Sequence, residues 1–309
     1  MHIKAARTTG LTGAKTVNGP VMLLSAAILW SFCGVMLKAT DWDRMAIVSL
    51  RSLIAAAMML LIIRKPRFTW SVPQIGATLS YVLMVILYVY ANKYTTAANA
   101  IVLEYTSPIY VAMLGALFLK EKVRRADMFC MAAVFAGMLA CFWGSGFSGN
   151  LAGNICGVAS GLSYALMTIF QRMQKESSNL EPLLLGNIVM FFIGLPFLLD
   201  QRIDPEGFTM VAAMGVFQGF PYVLYSLGLK KVRAVEASLI TTIEPFLNPL
   251  WVFLFIGEVP GGLTVAGGLL VLTAITLRTV YIYRSGNLIV KQEPAEGTPG
   301  SADAKIRNG

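Results

Sequence analysis

Residues 97–121 read AANAIVLEYTSPIYVAMLGALFLKE, and residues 234–258 read AVEASLITTIEPFLNPLWVFLFIGE. The two stretches align with position 97 on position 234, an offset of 137 that holds to their ends. The alignment pairs Ala97 with Ala234, Ala100 with Ala237, Pro108 with Pro245 and Glu121 with Glu258. A second match lays residues 29–31 over residues 163–165. The chain is therefore predicted to consist of two related halves.

The composition indicates that these halves lie in a membrane. Of 309 residues, 56% are hydrophobic and 13% are charged, against about 25% charged in a soluble domain. A spanning helix needs about 20 mostly apolar residues. Ten such stretches occur, at about 19–38, 45–63, 74–91, 97–119, 126–144, 151–171, 182–199, 209–229, 234–256 and 262–283. We predict an all-α membrane protein with ten transmembrane helices and no soluble domain.

The two halves are predicted to have opposite orientations. Because the first half crosses the membrane an odd number of times, five, the second half enters the membrane from the opposite side. The predicted organisation is a cytoplasmic N-terminal tail (1–18), a first five-helix repeat (19–144), a second five-helix repeat (151–283) and a disordered cytoplasmic tail (284–309). Glycines 153, 157 and 161 recur every four residues in the sixth stretch and predict close helix packing, with dimerisation as the alternative.

The distribution of basic residues predicts the orientation of the chain. Twenty of the 25 Lys and Arg residues lie in the tails and in the loops on the same side as the tails. Lys38, Arg44, Lys93 and Arg202 lie on the opposite side. The positive-inside rule therefore predicts cytoplasmic termini in the plasma (inner) membrane, with Phe147 and Gly207 outside. The net charge of +9 is explained by this asymmetry, so we expect no nucleic-acid partner.

Several chemistries are not expected from this sequence. The one histidine, His2, lies in the polar N-terminal tail, and the four cysteines (33, 130, 141 and 156) fall in apolar stretches without CxxC spacing. A metal site, a disulfide framework and a cysteine- or histidine-based catalytic site are therefore not predicted. No phosphate-binding glycine motif occurs, and we expect no cofactor.

Charged residues inside the spans need a structural or functional reason, because each costs about 2.5–3.5 kcal/mol at a helix centre. Arg51 and Glu104 lie at equal depth, roughly 10 Å from the external side, which predicts an ion pair. One interpretation is a pair that only locks the helices. In the other, Arg51 anchors a substrate carboxylate and Glu104 holds it when the site is empty.

Glu244 lies near the bilayer midplane, where a charged carboxylate is least favourable. It is therefore a candidate for binding a proton or a substrate ammonium group. Glu236, beside Arg233 at the end of the same span, is interpreted as a solvated end charge. Glu121 and Glu258 are interpreted as residues that cap or orient the helix ends.

Prolines predict helix breaks within the repeat. Proline removes the hydrogen bond to the carbonyl four residues earlier, so Pro108 frees the Glu104 carbonyl and Pro245 frees that of Thr241. Pro249 adds a further break in the second stretch. Broken helices at this depth are typical of transporter binding sites. The alternative is a kink used for packing.

Aromatic side chains within the spans are candidates for lining a cavity that binds an amphipathic solute. They are Trp30, Tyr81, Tyr88, Tyr105, Tyr110, Tyr164, Tyr222 and Tyr225. Of these we single out Trp30, Tyr81, Tyr164 and Tyr222 as site residues. Packing is the alternative for each.

The repeat, the intramembrane prolines and three short motifs resemble a known family. The motifs are Leu50-Arg51-Ser52-Leu53, Leu119-Lys120-Glu121 and Ile256-Gly257-Glu258. Over residues 19–283 the chain resembles the EamA-type ten-helix branch of the drug/metabolite transporter superfamily. The resemblance implies a central cavity between two halves and small metabolites or drugs as substrates, commonly exported. Glu104 departs from the common pattern of the first half.

The leading hypothesis is a secondary transporter that exports small organic metabolites, such as amino acids or related amphipathic solutes, by alternating access. The expected partners are a small-molecule substrate and the lipid bilayer, with the chain as a monomer or a homodimer. A lipid-linked sugar or nucleotide-sugar carrier is an alternative, although it should need more basic residues than Arg51. A membrane-embedded enzyme is a second alternative, for which only Glu104 and Glu244 remain as candidate catalytic groups. A channel is a third alternative.

Overall fold

The computed structural model describes residues 18–38, 40–95, 97–142, 150–174, 179–257, 259 and 261–284. Most of these residues are helical, and no strand occurs among them. The sequence-predicted tails lie outside the described residues, apart from Asn18 and Arg284 at their inner ends. Phe147 and Glu258 also lie outside them.

Thirteen helices run through the described residues. They are α1 (Gly19–Ser31), α2 (Cys33–Lys38), α3 (Arg44–Ile63), α4 (Val72–Tyr94), α5 (Ala97–Glu104), α6 (Ser107–Phe118), α7 (Arg125–Phe142), α8 (Leu151–Met173), α9 (Glu181–Asp200), α10 (Pro205–Leu229), α11 (Ala234–Thr241), α12 (Glu244–Ile256) and α13 (Gly262–Arg284). Each predicted span coincides with one helix or with two helices separated by a short break, within a few residues at its ends.

The all-helical membrane fold is confirmed. Among the described residues, eight helical stretches are long and apolar enough to cross a membrane. Two of the predicted spans, helix α7 and the pair α11–α12, are not among these eight stretches. Ten as the number of spans therefore stays a prediction.

Two of the breaks follow from the prolines. Helix α5 ends at Glu104 and α6 begins at Ser107, directly before Pro108. Helix α11 ends at Thr241 and α12 begins at Glu244, directly before Pro245. In each case the helix stops at the residue whose carbonyl the proline leaves without a partner, and proline then occupies the first turn of the next helix, where its missing N–H is not needed. The structure therefore has a break before Pro108 and another before Pro245.

The repeat extends to the helix bounds. Helices α5 and α11 begin at positions 97 and 234 and end at positions 104 and 241, and the following helices begin at 107 and 244. Each pair of positions differs by 137, the offset of the sequence alignment. The two stretches are thus folded in the same register.

The third break, between α1 and α2 at Phe32, has no proline and was not predicted. The Ser31 hydroxyl donates a 2.6 Å bond to the Ile28 carbonyl, and the Phe32 amide bonds to Leu29, three residues back. Side-chain bonds of this kind compete with the helical ladder. Trp251 of α12 then donates to Ser31 Oγ at 2.7 Å and stacks its ring on Phe32 at 4.3 Å, which holds the break in place.

Helix α8 packs closely against α4 and α5 along its three glycines, as predicted. A methyl group at Gly153 would lie 2.6 Å from the backbone of Tyr94, and one at Gly157 would lie 2.9 Å from Leu103. One at Gly161 would lie 2.6 Å from the Glu104 carbonyl oxygen. Only glycine permits this close approach, so the three glycines allow α8 to pack directly beside the break after α5.

Candidate functional site

A cavity of about 200 Å³ lies between the two halves. It is lined by residues of both, including both break regions. The sequence-predicted residues that line it are Trp30, Arg51, Glu104, Tyr164, Tyr222, Glu244 and Pro245. The structure therefore brings together most of the candidates from distant parts of the chain.

Glu104 lies at the end of α5, half-buried, with its side chain on the cavity. Its Oε1 accepts a 2.9 Å hydrogen bond from Ser160 Oγ of α8. The same hydroxyl lies 3.1 Å from the Met84 carbonyl oxygen of α4, so its one hydrogen is shared between two acceptors. A serine hydroxyl, and not a cation, is the hydrogen-bond partner of this carboxylate.

Glu244 is the first residue of α12 and lies on the same cavity. Its Oε2 accepts a 2.6 Å bond from the hydroxyl of Tyr105, which lies in the break between α5 and α6. A bond of this length is typical of an O–H donor on a carboxylate. The helix N-terminus adds a partial positive charge beside the carboxylate. One hydrogen bond thus joins the break of the first half to the break of the second.

Helix α8 contacts both breaks through residues one turn apart. Ser160 bonds to Glu104 at the end of α5, and the Tyr164 hydroxyl lies 3.1 Å from Thr241 Oγ1 at the end of α11. Glu104 and Thr241 are equivalent residues in the repeat. Because positions four apart share one face of a helix, a single face of α8 fixes both helix ends.

Arg51 lines the cavity from α3, and the predicted ion pair with Glu104 is not formed. No Arg51 nitrogen lies within 4.0 Å of a Glu104 oxygen. The Arg51 Nε is buried without a hydrogen-bond partner in the described part of the chain. The two residues were expected to pair because they lie at the same depth, but depth does not determine the direction in which a side chain points. Ser160 donates the hydrogen bond to Glu104 instead.

Aromatic rings form one wall of the cavity. Trp30 packs edge-on against Tyr222 with ring centroids 4.8 Å apart. Trp30 is 7% exposed, and its Nε1 has no hydrogen-bond partner among the described residues. Tyr81 is not a lining residue: it lies behind Tyr222, with centroids 5.4 Å apart, and donates to Asn187 at 3.0 Å.

The other two prolines differ from Pro245. Pro108 is buried and does not line the cavity, so it contributes through the break that it creates. Pro249 lies within α12, which continues through it, so the further break predicted there is wrong. The side chain of Pro249 is outside the described residues.

The charged residues beyond the cavity differ in part from the sequence interpretation. Glu236 is 2% exposed and faces Arg278 at 3.9 Å, so its interpretation as a solvated end charge is wrong. Its charged neighbour comes from α13, far along the chain. Glu121 is confirmed as a residue that orients a helix end, because its Oε2 accepts from the Ala234 amide at the start of α11, at 2.9 Å.

A buried ion cluster lies at this end of the molecule. Asp127 of α7 is fully buried and accepts from Arg278 at 2.6 Å and from Arg233 at 3.0 Å. Arg233 also donates to the Lys122 carbonyl at 2.8 Å. The cluster ties the predicted first half to the predicted second half. No group of three His, Cys, Asp or Glu side chains suited to a metal occurs among the described residues.

A second tie between the halves lies in the loops at the opposite end. Trp42 Nε1 donates to Asp204 Oδ1 at 2.7 Å, and the Gly207 amide donates to Oδ2 at 2.7 Å. These two bonds, the one from Trp42 first, hold the pKa of the Asp204 carboxyl below its usual value.

The residues that the sequence interpretation missed are mostly neutral. Ser160 and Gln218 line or support the site through hydroxyl and amide groups, and neutral polar residues are common in spans. Tyr105 was noted only as one of several aromatic residues. The sequence signal that could have identified Tyr105 as a site residue is its position directly after Glu104, within the break predicted by Pro108.

Comparisons with known proteins agree with this architecture. The EamA-like transporter family matches residues 17–143 and again residues 151–280. The pseudopaline exporter CntI of Pseudomonas aeruginosa is 24% identical over 267 residues, which are 83% of this chain and 94% of that protein. An uncharacterized transporter of Archaeoglobus fulgidus is 22% identical over 84% of this chain and 95% of its own. One crystal structure superposes with a TM-score of 0.75 at 17% identity, over 85% of this chain and 98% of that one.

Proposed function

The chain belongs to the EamA-like transporter family, and from this premise we propose that it is a secondary transporter that exports small organic metabolites by alternating access. The proposed substrates are amino acids or related amphipathic solutes. The proposed location is the plasma (inner) membrane. Membership of a transporter family and relatives named as transporters support transport over catalysis.

The observation that carries this proposal is the composition of the cavity. One guanidinium, two carboxylates and an aromatic wall line the same space between the halves. Arg51 is the proposed anchor for a substrate carboxylate, since its Nε is buried without a partner in the described ranges of the chain. Glu244 is the proposed site for a proton or a substrate ammonium group, and Trp30 and Tyr222 cover the apolar part of the solute. Tyr81 supports Tyr222 from behind, and Tyr164 supports the end of α11.

The size and charge of the cavity favour a small solute over the alternative carriers. About 200 Å³ is below the range of roughly 300–1,000 Å³ that is usual for drug-sized ligands. Among the described residues that line it, Arg51 is the one basic residue. A nucleotide sugar would bring two phosphate charges to a cavity with two carboxylates, which is unfavourable.

The proposed state of the transporter is open toward the external side. Helix α1 begins at Gly19, against Lys231 and Val232, at the end of the molecule that carries the ion cluster around Asp127. Leu37, at the far end of α2, lines the cavity and is 39% exposed. We infer that the ion cluster closes the cytoplasmic side and opens when the cavity turns inward.

The proposed orientation rests on the charge asymmetry and has a direct test. Gly207, which the sequence predicts to lie on the external side, is buried against Trp42 and is unsuitable for a cysteine. The neighbouring Glu206 is exposed, as is Lys122 in the loop before α7. In a cysteine-free background, a cysteine at 206 should react with an impermeant maleimide in intact cells, and one at 122 should not. The reverse pattern would contradict the orientation.

Export is the proposed direction because a relative that shares most of the chain is named an exporter. The experiment that tests the proposal is a thermal-shift screen of amino acids and related solutes on the purified protein, since a ligand of the native state raises its melting temperature. Arg51→Met should abolish the shift for carboxylate-bearing solutes. Arg202→Met, at an exposed residue outside the cavity, should preserve it. Equal shifts in both variants would contradict the proposed role of Arg51.

A further inference from the structure

The two carboxylates of the cavity are held in the same way. Glu104 is fixed through Oε1 by Ser160, and Glu244 is fixed through Oε2 by Tyr105. The second oxygen of each carboxylate accepts no hydrogen bond within the described part of the chain. Both side chains line the cavity. Each carboxylate is therefore oriented through one oxygen and has the other available to a ligand.

The groups that hold the carboxylates are hydroxyls, which orient a charge without neutralising it. No Lys or Arg nitrogen of the described residues lies within 4.0 Å of Glu104 or Glu244. Arg51 supplies one positive charge elsewhere in the cavity. With both carboxylates ionised, the described residues that line the cavity carry two negative charges and one positive charge. A charge in such a site is stable only when it is paired.

Two unpartnered donors indicate what else a ligand must bring. The Nε1 of Trp30 and the Nε of Arg51 are buried without acceptors among the residues that the structure describes, and both residues line the cavity. Trp30 is more than nine-tenths buried. Buried donors cost free energy unless an acceptor reaches them, and a carboxylate has two oxygens that suit a guanidinium and an N–H donor.

We propose that the site recognises a solute with one carboxylate and two amine nitrogens, the chemical class of the diamino acids. The proposal rests on the transport function inferred above and names its substrate class. The carboxylate binds Arg51 and Trp30, and one ammonium group binds each of Glu104 and Glu244. A net charge of plus one on the solute then balances the net charge of minus one in the cavity.

The test is binding of three probes to the purified full-length protein, measured by calorimetry. L-lysine has the carboxylate and both amines, L-norleucine lacks the second amine, and cadaverine lacks the carboxylate. Lysine should bind at least about tenfold more tightly than norleucine, because a charge-assisted hydrogen bond is lost with the second amine. Cadaverine should bind more weakly than lysine.

Substitutions test which residues bind the amines of the solute and which bind its carboxylate. Glu104→Gln and Glu244→Gln should each reduce the preference for lysine over norleucine, while Glu206→Gln, at an exposed carboxylate outside the cavity, should keep it. Arg51→Met should weaken lysine binding and should not weaken cadaverine binding, because cadaverine has no carboxylate and gains from the loss of a positive charge. A melting curve of each variant separates loss of binding from loss of folding.

Three outcomes would overturn the inference. If norleucine binds as tightly as lysine, the site takes one amine, and the proposed transport of amino acids still stands. If the preference for lysine survives both glutamate substitutions, the second amine binds elsewhere. If the folded protein binds none of the three probes, the proposed substrate class fails, while the thermal-shift screen of other solutes decides the proposed transport function.

Discussion

Tyr105 donates a 2.6 Å hydrogen bond to Glu244, and these two residues lie at the helix breaks of opposite halves of the chain. The bond is the direct side-chain link between the two breaks at the cavity. It joins an aromatic ring that follows α5 to a carboxylate that begins α12. A solute that binds Glu244 therefore meets a group whose position depends on both halves.

Tyr105→Phe should remove this link and leave Glu244 without its donor. We expect weaker binding of ammonium-bearing solutes and a lower free energy of unfolding, by about 1.5–3 kcal/mol, the usual contribution of a hydrogen bond to a charged group. Thermal unfolding and calorimetry measure the two effects. Tyr110→Phe is the matched control, because Tyr110 is half-buried in α6 without a hydrogen bond in the described part of the chain. Equal effects of the two substitutions would contradict the role of Tyr105.

Gly161→Ala should disturb the seat of α8 beside the first break. The added methyl group would lie 2.6 Å from the Glu104 carbonyl oxygen, and overpacking of this kind costs about 1–3 kcal/mol. Gly262→Ala is the control, because nothing lies within 4 Å of the added methyl there. Chemical denaturation should show a loss of stability for the first variant and none for the second. A stable Gly161→Ala protein would show that the close packing of α8 is dispensable.

Asp127→Asn should be strongly destabilising, because it leaves Arg278 and Arg233 without the carboxylate that binds both. Breaking a buried ion pair by removing one partner costs about 3–5 kcal/mol. Removing Asp127 and Arg278 together should cost less than the sum of the single losses. Asp200→Asn, at an exposed carboxylate at the end of α9, should unfold like the parent. Additive losses in the double variant would argue against the coupling.

The apolar stretches, the breaks before Pro108 and Pro245 and the repeat register could be predicted from the sequence, because hydropathy and proline act locally. The break at Phe32 could not, because it depends on side-chain contacts of Ser31 and Phe32 with Trp251 of α12. The partners of the buried charged residues could not be predicted from the sequence. Arg51 and Glu104 share a depth, yet depth says nothing about the direction in which each side chain points. Glu236 was expected in water because its neighbour Arg278 is supplied by a helix that only the fold brings near. Ser160 has no charge that marks it, and its role follows from the glycine beside it.

Asp204→Ala should destabilise the protein more at neutral pH than in acid, because the contribution of the carboxylate charge is lost on protonation. The folded-state pKa of this carboxyl is lowered, so its contribution to stability is present above the unfolded-state pKa of about 4 and disappears as the pH falls through the folded-state value. The difference in melting temperature between parent and variant should narrow below about pH 4. Asp41→Ala, at an exposed neighbouring carboxylate, serves as the comparison. A difference that persists unchanged at low pH would exclude the charged form as its cause.

We propose that the cavity between the two helix breaks is the transport site, and counterflow in proteoliposomes with Glu244→Gln is the decisive experiment. Vesicles loaded with the solute that binds best should take up its labelled form through the parent protein and through the control Glu206→Gln. Glu244→Gln keeps the shape and hydrogen-bonding capacity of the side chain and removes its charge. It should insert and melt like the parent and lose counterflow or its dependence on pH. Unchanged rate, affinity and pH profile in this variant would contradict the account.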